Sequence, residues 1–329
     1  MNYKYMILGA GGSFAIHTAL YLLKQKNTKK VIGVGRNLLR PEHFSINIDK
    51  YKKYSYHTYH LTYEQEFLLE LIDKEKPDYI INYAAQGEGA VSWKNSWRFF
   101  ETNSVGLSKL VENLLNKKFL KKFIHIGTSE MYGSVKKPSK ESDPILPSSP
   151  YAASKVAFDL YLLSINKNLG FKMNIIRPSN AYCSGQLLHR VIPRTFLSII
   201  NNQKIPLHGG GRAMKSYIHA TDLAKAIHIV IKRGKDGEIY NVGPKNPTSI
   251  KEVVTRVGEL YNLKLNQIAK VTDDRLGQDS KYWLNSSKIN KLGWKQEIKW
   301  DDGLQEVKIW VEKYKEALKK LSPNYIMRG

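Results

Sequence analysis

KYMILGAGGSFAIHTALYLLKQK, residues 4–26, carries the reading of the fold. Lys4–Leu8 is a short β-rich run, and Ser13–Lys26 repeats apolar residues at three- and four-residue spacing, the mark of a helix. Between them Gly9-Ala10-Gly11-Gly12-Ser13-Phe14-Ala15 forms a tight turn, where backbone N–H groups and the helix dipole can meet a pyrophosphate. Glycine clusters in such turns are common, so the motif alone also fits a plain connection. Outward from it, Val31–Val34, Tyr79–Asn82, Phe123–Ile126 and Met173–Ile176 read as further strands. Glu64–Lys74, Ser96–Lys117 and Tyr151–Asn168 read as the helices between them. Alternation of this kind predicts parallel βαβ units and a doubly wound α/β sheet. Pro- and Gly-bearing stretches at Arg177–Gly185 and Ile205–Gly211 then precede helices at Val191–Asn201, Thr221–Lys232 and Ile250–Tyr261. We therefore expect a dinucleotide-binding domain on residues 1–177, with a returning segment at about 216–243 that includes a strand at Glu238–Val242. A smaller C-terminal α/β substrate domain takes 178–329.

Composition narrows the class. The 329 residues are 42% apolar and 25% charged, as in an ordinary globular protein long enough for two domains. Apolar runs such as Tyr79–Ile81 and Phe196–Ile200 fall far short of the roughly 18 residues a membrane span needs. The single cysteine, Cys183, permits no internal disulfide, and the first residues lack a secretory pattern, so a cytoplasmic protein without membrane contact is expected. Lys and Arg number 52 against 29 Asp and Glu, a net charge of +23. The lysines are spread along the chain, as at Lys24, Lys26, Lys29 and Lys30, which predicts a solvated surface and not a nucleic-acid interface. His57 and His60 lack a carboxylate partner in pattern, so no metal site is expected.

Three further features carry chemistry. Where the second strand ends, Gly35 replaces the acidic residue that would grip a ribose 2′-hydroxyl, and Arg36 follows it, a pair suited to a 2′-phosphate and hence to NADP. An exposed arginine at a strand end is the plainer reading. Tyr151 and Lys155 stand four apart, on one helix face, after Ser149-Pro150 has started the helix. An ammonium there, with an oxidised nicotinamide, lowers the phenol pKa so that Tyr151 serves as a base. Thr128-Ser129-Glu130 follows the strand Phe123–Ile126, in a loop over the carboxyl ends of the strands, where open α/β sheets bind ligands. Thr128 offers a hydroxyl to a reacting oxygen and Glu130 a carboxylate for a second proton transfer, although a solvated loop glutamate is also common.

With these features in order, the chain resembles the extended short-chain dehydrogenase/reductases, in their sugar-nucleotide 4,6-dehydratase branch. The resemblance runs from Gly9 to about Trp294. Its motifs are Gly9-x-x-Gly12-x-x-Ala15, Asn82-Tyr-Ala-Ala-Gln86, Thr128-Ser-Glu130-x-Tyr-Gly133, Tyr151-x-x-x-Lys155, Arg177-Pro-Ser-Asn180 and Asp274-Arg275-x-Gly-x-Asp279. It implies a Rossmann sheet whose cofactor contacts are Gly9, Gly11, Gly12, Ser13, Phe14, Arg36, His60, Leu61, Ala84, Ala85, Gln86, Asn103, Tyr151 and Lys155. By the same resemblance Ser92 and Ser129 meet the sugar, and Asn180, Arg190, Lys215 and Arg275 face a nucleotide diphosphate. Thr128 would assist Tyr151, and Glu130 would take the proton from sugar carbon 5, acting as base and acid in turn because Ser129 stands where glucose-type dehydratases place an Asp. The implied reaction is oxidation at carbon 4, loss of water and reduction at carbon 6, giving a 4-keto-6-deoxy sugar still on its nucleotide. A 4-epimerase, 4-ketoreductase or decarboxylase of the same fold stays open, as does, more distantly, a non-catalytic nucleotide- or RNA-binding relative.

The resemblance also implies a homodimer through the helices Ser96–Lys117 and Tyr151–Asn168, with Leu107, Leu114, Phe158 and Leu162 as apolar material. Departures from the family pattern are the third glycine replaced by Ala15, Gln86-Gly87-Glu88-Gly89 after the Ala-Ala pair, His60 for Asp, Lys215 for Arg, and Cys183 for Gly.

Overall fold

A parallel strand covered on both faces is apolar along its length instead of alternating. Met6–Leu8, Ile80–Ile81, Phe123–Ile124 and Ile175–Ile176 fit that rule, none more than 1% exposed. The computed structural model describes residues 2–274 and 279–324. It gathers these runs into one sheet of β1 (Tyr3–Leu8), β2 (Thr28–Gly35), β3 (Tyr54–Thr58), β4 (Tyr79–Asn82), β5 (Lys122–Ile126), β6 (Met173–Pro178) and β7 (Ile239–Val242). The order is β7-β6-β5-β4-β1-β2-β3 and every pairing is parallel. This is the expected doubly wound α/β sheet, including the strand that returns beside β6. β3 was not foreseen, because this edge strand, Tyr-Ser-Tyr-His-Thr, has no fully buried residue and no apolar run.

The helices around the sheet are α1 (Ser13–Leu23), α2 (Gln65–Glu75), α3 (Ser96–Phe100), α4 (Leu107–Leu114), α5 (Pro150–Leu169) and α6 (Ala220–Arg233). The stretch expected as one helix from Ser96 to Lys117 is α3 and α4 joined by a π-helical segment, Glu101–Gly106. Ala15, Ile16 and Leu22 of α1 pack with Ile227 and Val230 of α6 on one face. Leu68 and Ile72 of α2, Leu107 and Leu110 of α4, and Phe158 and Leu162 of α5 pack on the other. Leu107, Leu114, Phe158 and Leu162 are therefore core, at most 1% exposed, and correct the expectation that they serve association. Apolar residues that α3, the π-helical segment and α5 turn outward include Trp97, Phe100, Val105, Leu160 and Leu169.

A third apolar core joins Phe196 of the helix Val191–Ile200, Val253 and Val257 of Ile250–Glu259, and Val307 and Trp310 of Trp300–Lys313. Short strands lie between the cores: Asn180–Tyr182 pairs with Tyr217–His219, and Met214–Lys215 lies between Thr248–Ser249 and Lys281–Tyr282. The order of the large sheet reverses between β1 and β4, the place where such sheets bind ligands. There the chain leaving β1 crosses so close to the chain leaving β4 that a Cβ on Gly9, at φ +75°, would lie 2.6 Å from the Ala84 nitrogen. Only glycine fits. Among the described residues no helix is long and apolar enough to cross a membrane.

Candidate active site

A cavity of about 420 Å³ opens beside the carboxyl ends of the strands and is lined by residues of the sheet loops and of the segments around the third core. Its wall includes Glu88, Glu130, Tyr151, Lys155, Arg190 and Lys215. Tyr151 and Lys155 are presented by α5, whose start is fixed by Pro150 in the first turn and by Ser149, whose Oγ accepts from the Ala152 N–H at 3.2 Å. Lys155 is only 2% exposed, and its Nζ donates to the Ile126 carbonyl at 2.7 Å and lies 3.2 Å from His125 Nε2. Burial lowers its pKa to about 8, against the opposing pull of Asp159. The Tyr151 phenol is pushed above its ordinary value, first by burial and then by the Glu130 charge. A hydrogen bond with Thr128 and the charge of Arg190 pull it back. Lys155, which the sequence pairs with Tyr151, thus holds its ammonium on the end of β5.

Glu130 follows Thr128, which caps the short turn Ser129–Tyr132 by accepting from the Glu130 N–H at 3.2 Å. Burial raises the Glu130 carboxyl above the ordinary carboxylate range, while Lys215 and Arg190 oppose that rise. Lys215, on the strand Met214–Lys215, has its own pKa lowered by burial and holds its Nζ 4.8 Å from the Tyr282 ring centre. Arg190 stands at the N-cap of Val191–Ile200, and its Nη1 lies 3.1 Å from Glu88 Oε2, with His189 Nε2 at 3.3 Å. Burial alone would raise Glu88, but Arg190 and His189 outweigh it and hold the carboxyl at about 2. The residue adopts φ 89°, ψ 92°, a conformation that non-glycine residues rarely hold and that clusters at functional sites. Asp279 braces the same wall, accepting from Ser134 Oγ at 2.6 Å, from the Tyr282 hydroxyl at 2.7 Å and from Ser148.

The turn after β1 fits the pyrophosphate of a dinucleotide. Gly12, extended at φ −80° and ψ 144°, opens α1 with no side chain capping its first N–H groups, which leaves that helix start to an anion. A family model described as "NAD dependent epimerase/dehydratase family" matches residues 5–243. The chain belongs to that family.

Relatives in the NAD dependent epimerase/dehydratase family include the dTDP-D-glucose 4,6-dehydratase of Bos taurus, 32% identical over 270 residues, covering 79% of this chain and 76% of that one. A trifunctional UDP-glucose 4,6-dehydratase/UDP-4-keto-6-deoxy-D-glucose 3,5-epimerase/UDP-4-keto-L-rhamnose-reductase of Arabidopsis thaliana is 28% identical over 93% of this chain. The chain spans only 46% of that relative. The crystal structure of a Bacillus anthracis dTDP-glucose 4,6-dehydratase in complex with NAD superposes with a TM-score of 0.84 at 27% identity, covering 95% of this chain and 98% of that one.

Within the family frame, Thr128, Ser129, Glu130, Tyr151, Lys155, Asn180, Arg190 and Lys215 all share the cavity wall. Ser92 does not: it is fully buried and its hydroxyl donates to the Gly89 carbonyl at 2.7 Å. Of the expected cofactor contacts outside α5, Phe14 and Ala85 reach the cavity. Gly9, Gly11, Gly12 and Ser13 follow β1, Arg36 follows β2, and His60 and Leu61 follow β3, so they form a row at the carboxyl edge of the sheet. Ala84 sits at the close approach to Gly9. Asn103 and Gln86 stand behind the wall: Asn103 accepts from the Gln86 N–H at 2.7 Å and donates to the Gln86 carbonyl and Ser154 Oγ, both at 3.0 Å. Arg275 lies outside the described residues. Cys183 is buried beside Ser13, its thiol pushed well up by burial, which fits packing and not nucleophilic attack. Glu88 stands out in the sequence as a departure from the family pattern, but its partners His189 and Arg190 lie about a hundred residues away and only the fold brings them together.

Proposed function

We propose that the chain is a sugar-nucleotide 4,6-dehydratase that converts a nucleotide-linked hexose to the 4-keto-6-deoxy sugar. The observation that carries the reading is a second proton-transfer group, Glu130, half-buried in the same cavity wall as Tyr151 and close enough for its charge to raise the phenol. Oxidation at carbon 4 needs one base; elimination needs another. When bound, the nicotinamide would take a hydride from carbon 4 and give it back at carbon 6, and a proton from solvent would replace the one lost at carbon 5. Tyr151, hydrogen-bonded to Thr128, takes the proton of the carbon 4 hydroxyl. The resulting ketone acidifies carbon 5, and Glu130 removes that proton. A carboxyl raised by burial is suited to keep the proton and deliver it to the departing carbon 6 hydroxyl, which leaves as water. Arg190, Lys215 and Asn180 offer two cations and an amide to the diphosphate.

The 1–177 and returning segment would bind the cofactor, with the third core carrying the nucleotide. NADP is the cofactor this reading favours, through Gly35 and Arg36. A cytoplasmic homodimer completes it, the exposed Trp97, Phe100, Val105 and Leu160 supporting association. Incubation with a panel of nucleotide sugars tests the function. We expect one substrate to lose one water and to show a carbon 6 methyl signal in the proton spectrum. An unchanged mass with inverted carbon 4, or loss of carbon dioxide, would assign an epimerase or a decarboxylase instead.

A further inference from the structure

Two glycines on β2, Gly33 and Gly35, face two tyrosines on β3. Tyr54 is in register with Val31 and Tyr56 with Gly33, yet each ring leans forward along the strand. A Cβ on Gly33 would collide with the Tyr54 hydroxyl, and a Cβ on Gly35 with that of Tyr56. The Tyr56 hydroxyl therefore occupies the volume from which an acidic side chain at position 35 would grip a ribose 2′-hydroxyl. It also borders the cofactor turn, 3.1 Å from where a Cβ on Gly11 would lie. Its proton is given to the Asn37 carbonyl at 2.8 Å. The Arg40 charge acts on this phenol, opposing the rise that burial causes, and the Arg36 charge acts on neighbouring His60. Where a site selective for an unphosphorylated ribose presents a carboxylate, this chain presents a neutral hydroxyl in the field of the Arg40 guanidinium, which lies 5.7 Å from the Phe44 ring centre, while Arg36 follows Gly35 in the chain.

We propose that Tyr56 and Arg40, with Arg36, form a seat for the 2′-phosphate of the cofactor, and that Tyr56 is what keeps position 35 a glycine. The proposal rests on the NADP reading above and names the residues that enforce it. Guanidinium groups pair with phosphate through charge-assisted hydrogen bonds. The Tyr56 hydroxyl can turn from the Asn37 carbonyl and donate to a phosphate oxygen.

Equilibrium binding of NADP, NAD and adenosine 2′,5′-bisphosphate, read by calorimetry, separates the outcomes. We expect Arg40→Ala to weaken NADP and the bisphosphate by about tenfold while NAD stays within about twofold. Tyr56→Phe should weaken the same two ligands by about fivefold, the worth of one hydrogen bond. Tyr54→Phe, which removes a buried hydroxyl without a hydrogen-bond partner, should leave the NADP-to-NAD ratio unchanged and controls for packing. The double variant Gly35→Asp with Tyr56→Ala exchanges the phenol for a carboxylate and should turn the preference toward NAD. If the natural chain prefers NADP but neither Arg40→Ala nor Tyr56→Phe moves the ratio, the seat is wrong while the NADP reading stands. Equal weakening of NAD and NADP in Arg40→Ala would also overturn it. If the natural chain binds NAD as tightly as NADP, the NADP reading falls and the seat with it.

Discussion

Glu130 is a base only while its carboxyl is deprotonated, and burial raises that carboxyl. Proton removal at carbon 5 should therefore be lost, as pH falls, above the ordinary carboxylate range, and the acidic limb of the profile should lie correspondingly high. Lys215 is the first of the charges that oppose the rise, followed by Arg190. Removing it with Lys215→Met should move that limb to still higher pH, read as hydrogen exchange at carbon 5 against pH. A limb that stays in place or moves downward would show that Lys215 does not face Glu130. The chemistry at this scale was legible where it is local: Thr128, Glu130, Tyr151 and Lys155 sit in two short stretches whose spacing can be read by eye. The direction of a side chain was not. Nothing in the spacing of Lys155 says that its ammonium turns to the Ile126 carbonyl, or that Ser92 turns back to Gly89.

The π-helical segment between α3 and α4 is an element whose irregularity has a use. It places Asn103, fully buried, so that one amide satisfies both backbone groups of Gln86 and the Ser154 hydroxyl of α5. Asn103→Leu keeps the approximate volume but strands the buried Gln86 N–H and carbonyl, each unpaired group costing about 1–3 kcal/mol. We expect a loss of about 2–4 kcal/mol in denaturant unfolding, accompanied by weaker cofactor binding because the loop after β4 is held by that amide. Unchanged stability would mean that the loop is supported elsewhere. Helix periodicity could not reveal this segment, since one extra residue per turn leaves the apolar spacing of Ser96–Lys117 nearly intact. The strands of the sheet interior announced themselves as apolar runs, whereas β3, at the edge and half-buried, did not.

For the whole molecule, the apolar residues left outside are as informative as those within. Trp97 is 57% exposed, Val105 63% and Leu160 51%, on the helical segments that cover one face of the sheet. The helices that carry Trp97 and Leu160 pack against each other, and where exposed apolar residues adjoin they mark association surfaces. We expect a dimer by light scattering at micromolar concentration, and a monomer for Trp97→Glu combined with Leu160→Glu. A natural chain that scatters as a monomer would reject the association. The doubly wound sheet and its returning strand were readable in advance because alternating β and α patterns admit few topologies. Which apolar residues face inward was not, since Leu107 and Phe158 differ from Trp97 and Leu160 only in the turn of the helix. On the proposed reading, oxidation at carbon 4 and elimination at carbon 5 belong to different side chains in one cavity. Glu130→Gln, incubated in heavy water with the nucleotide sugar that the natural chain dehydrates, separates the two steps. A positioned base contributes about 10²–10⁴-fold, so nicotinamide absorbance should still report the first hydride transfer while exchange at carbon 5 and release of water fall by that factor. Exchange and water release at a near-normal rate in this variant would mean that Glu130 is not the base at carbon 5.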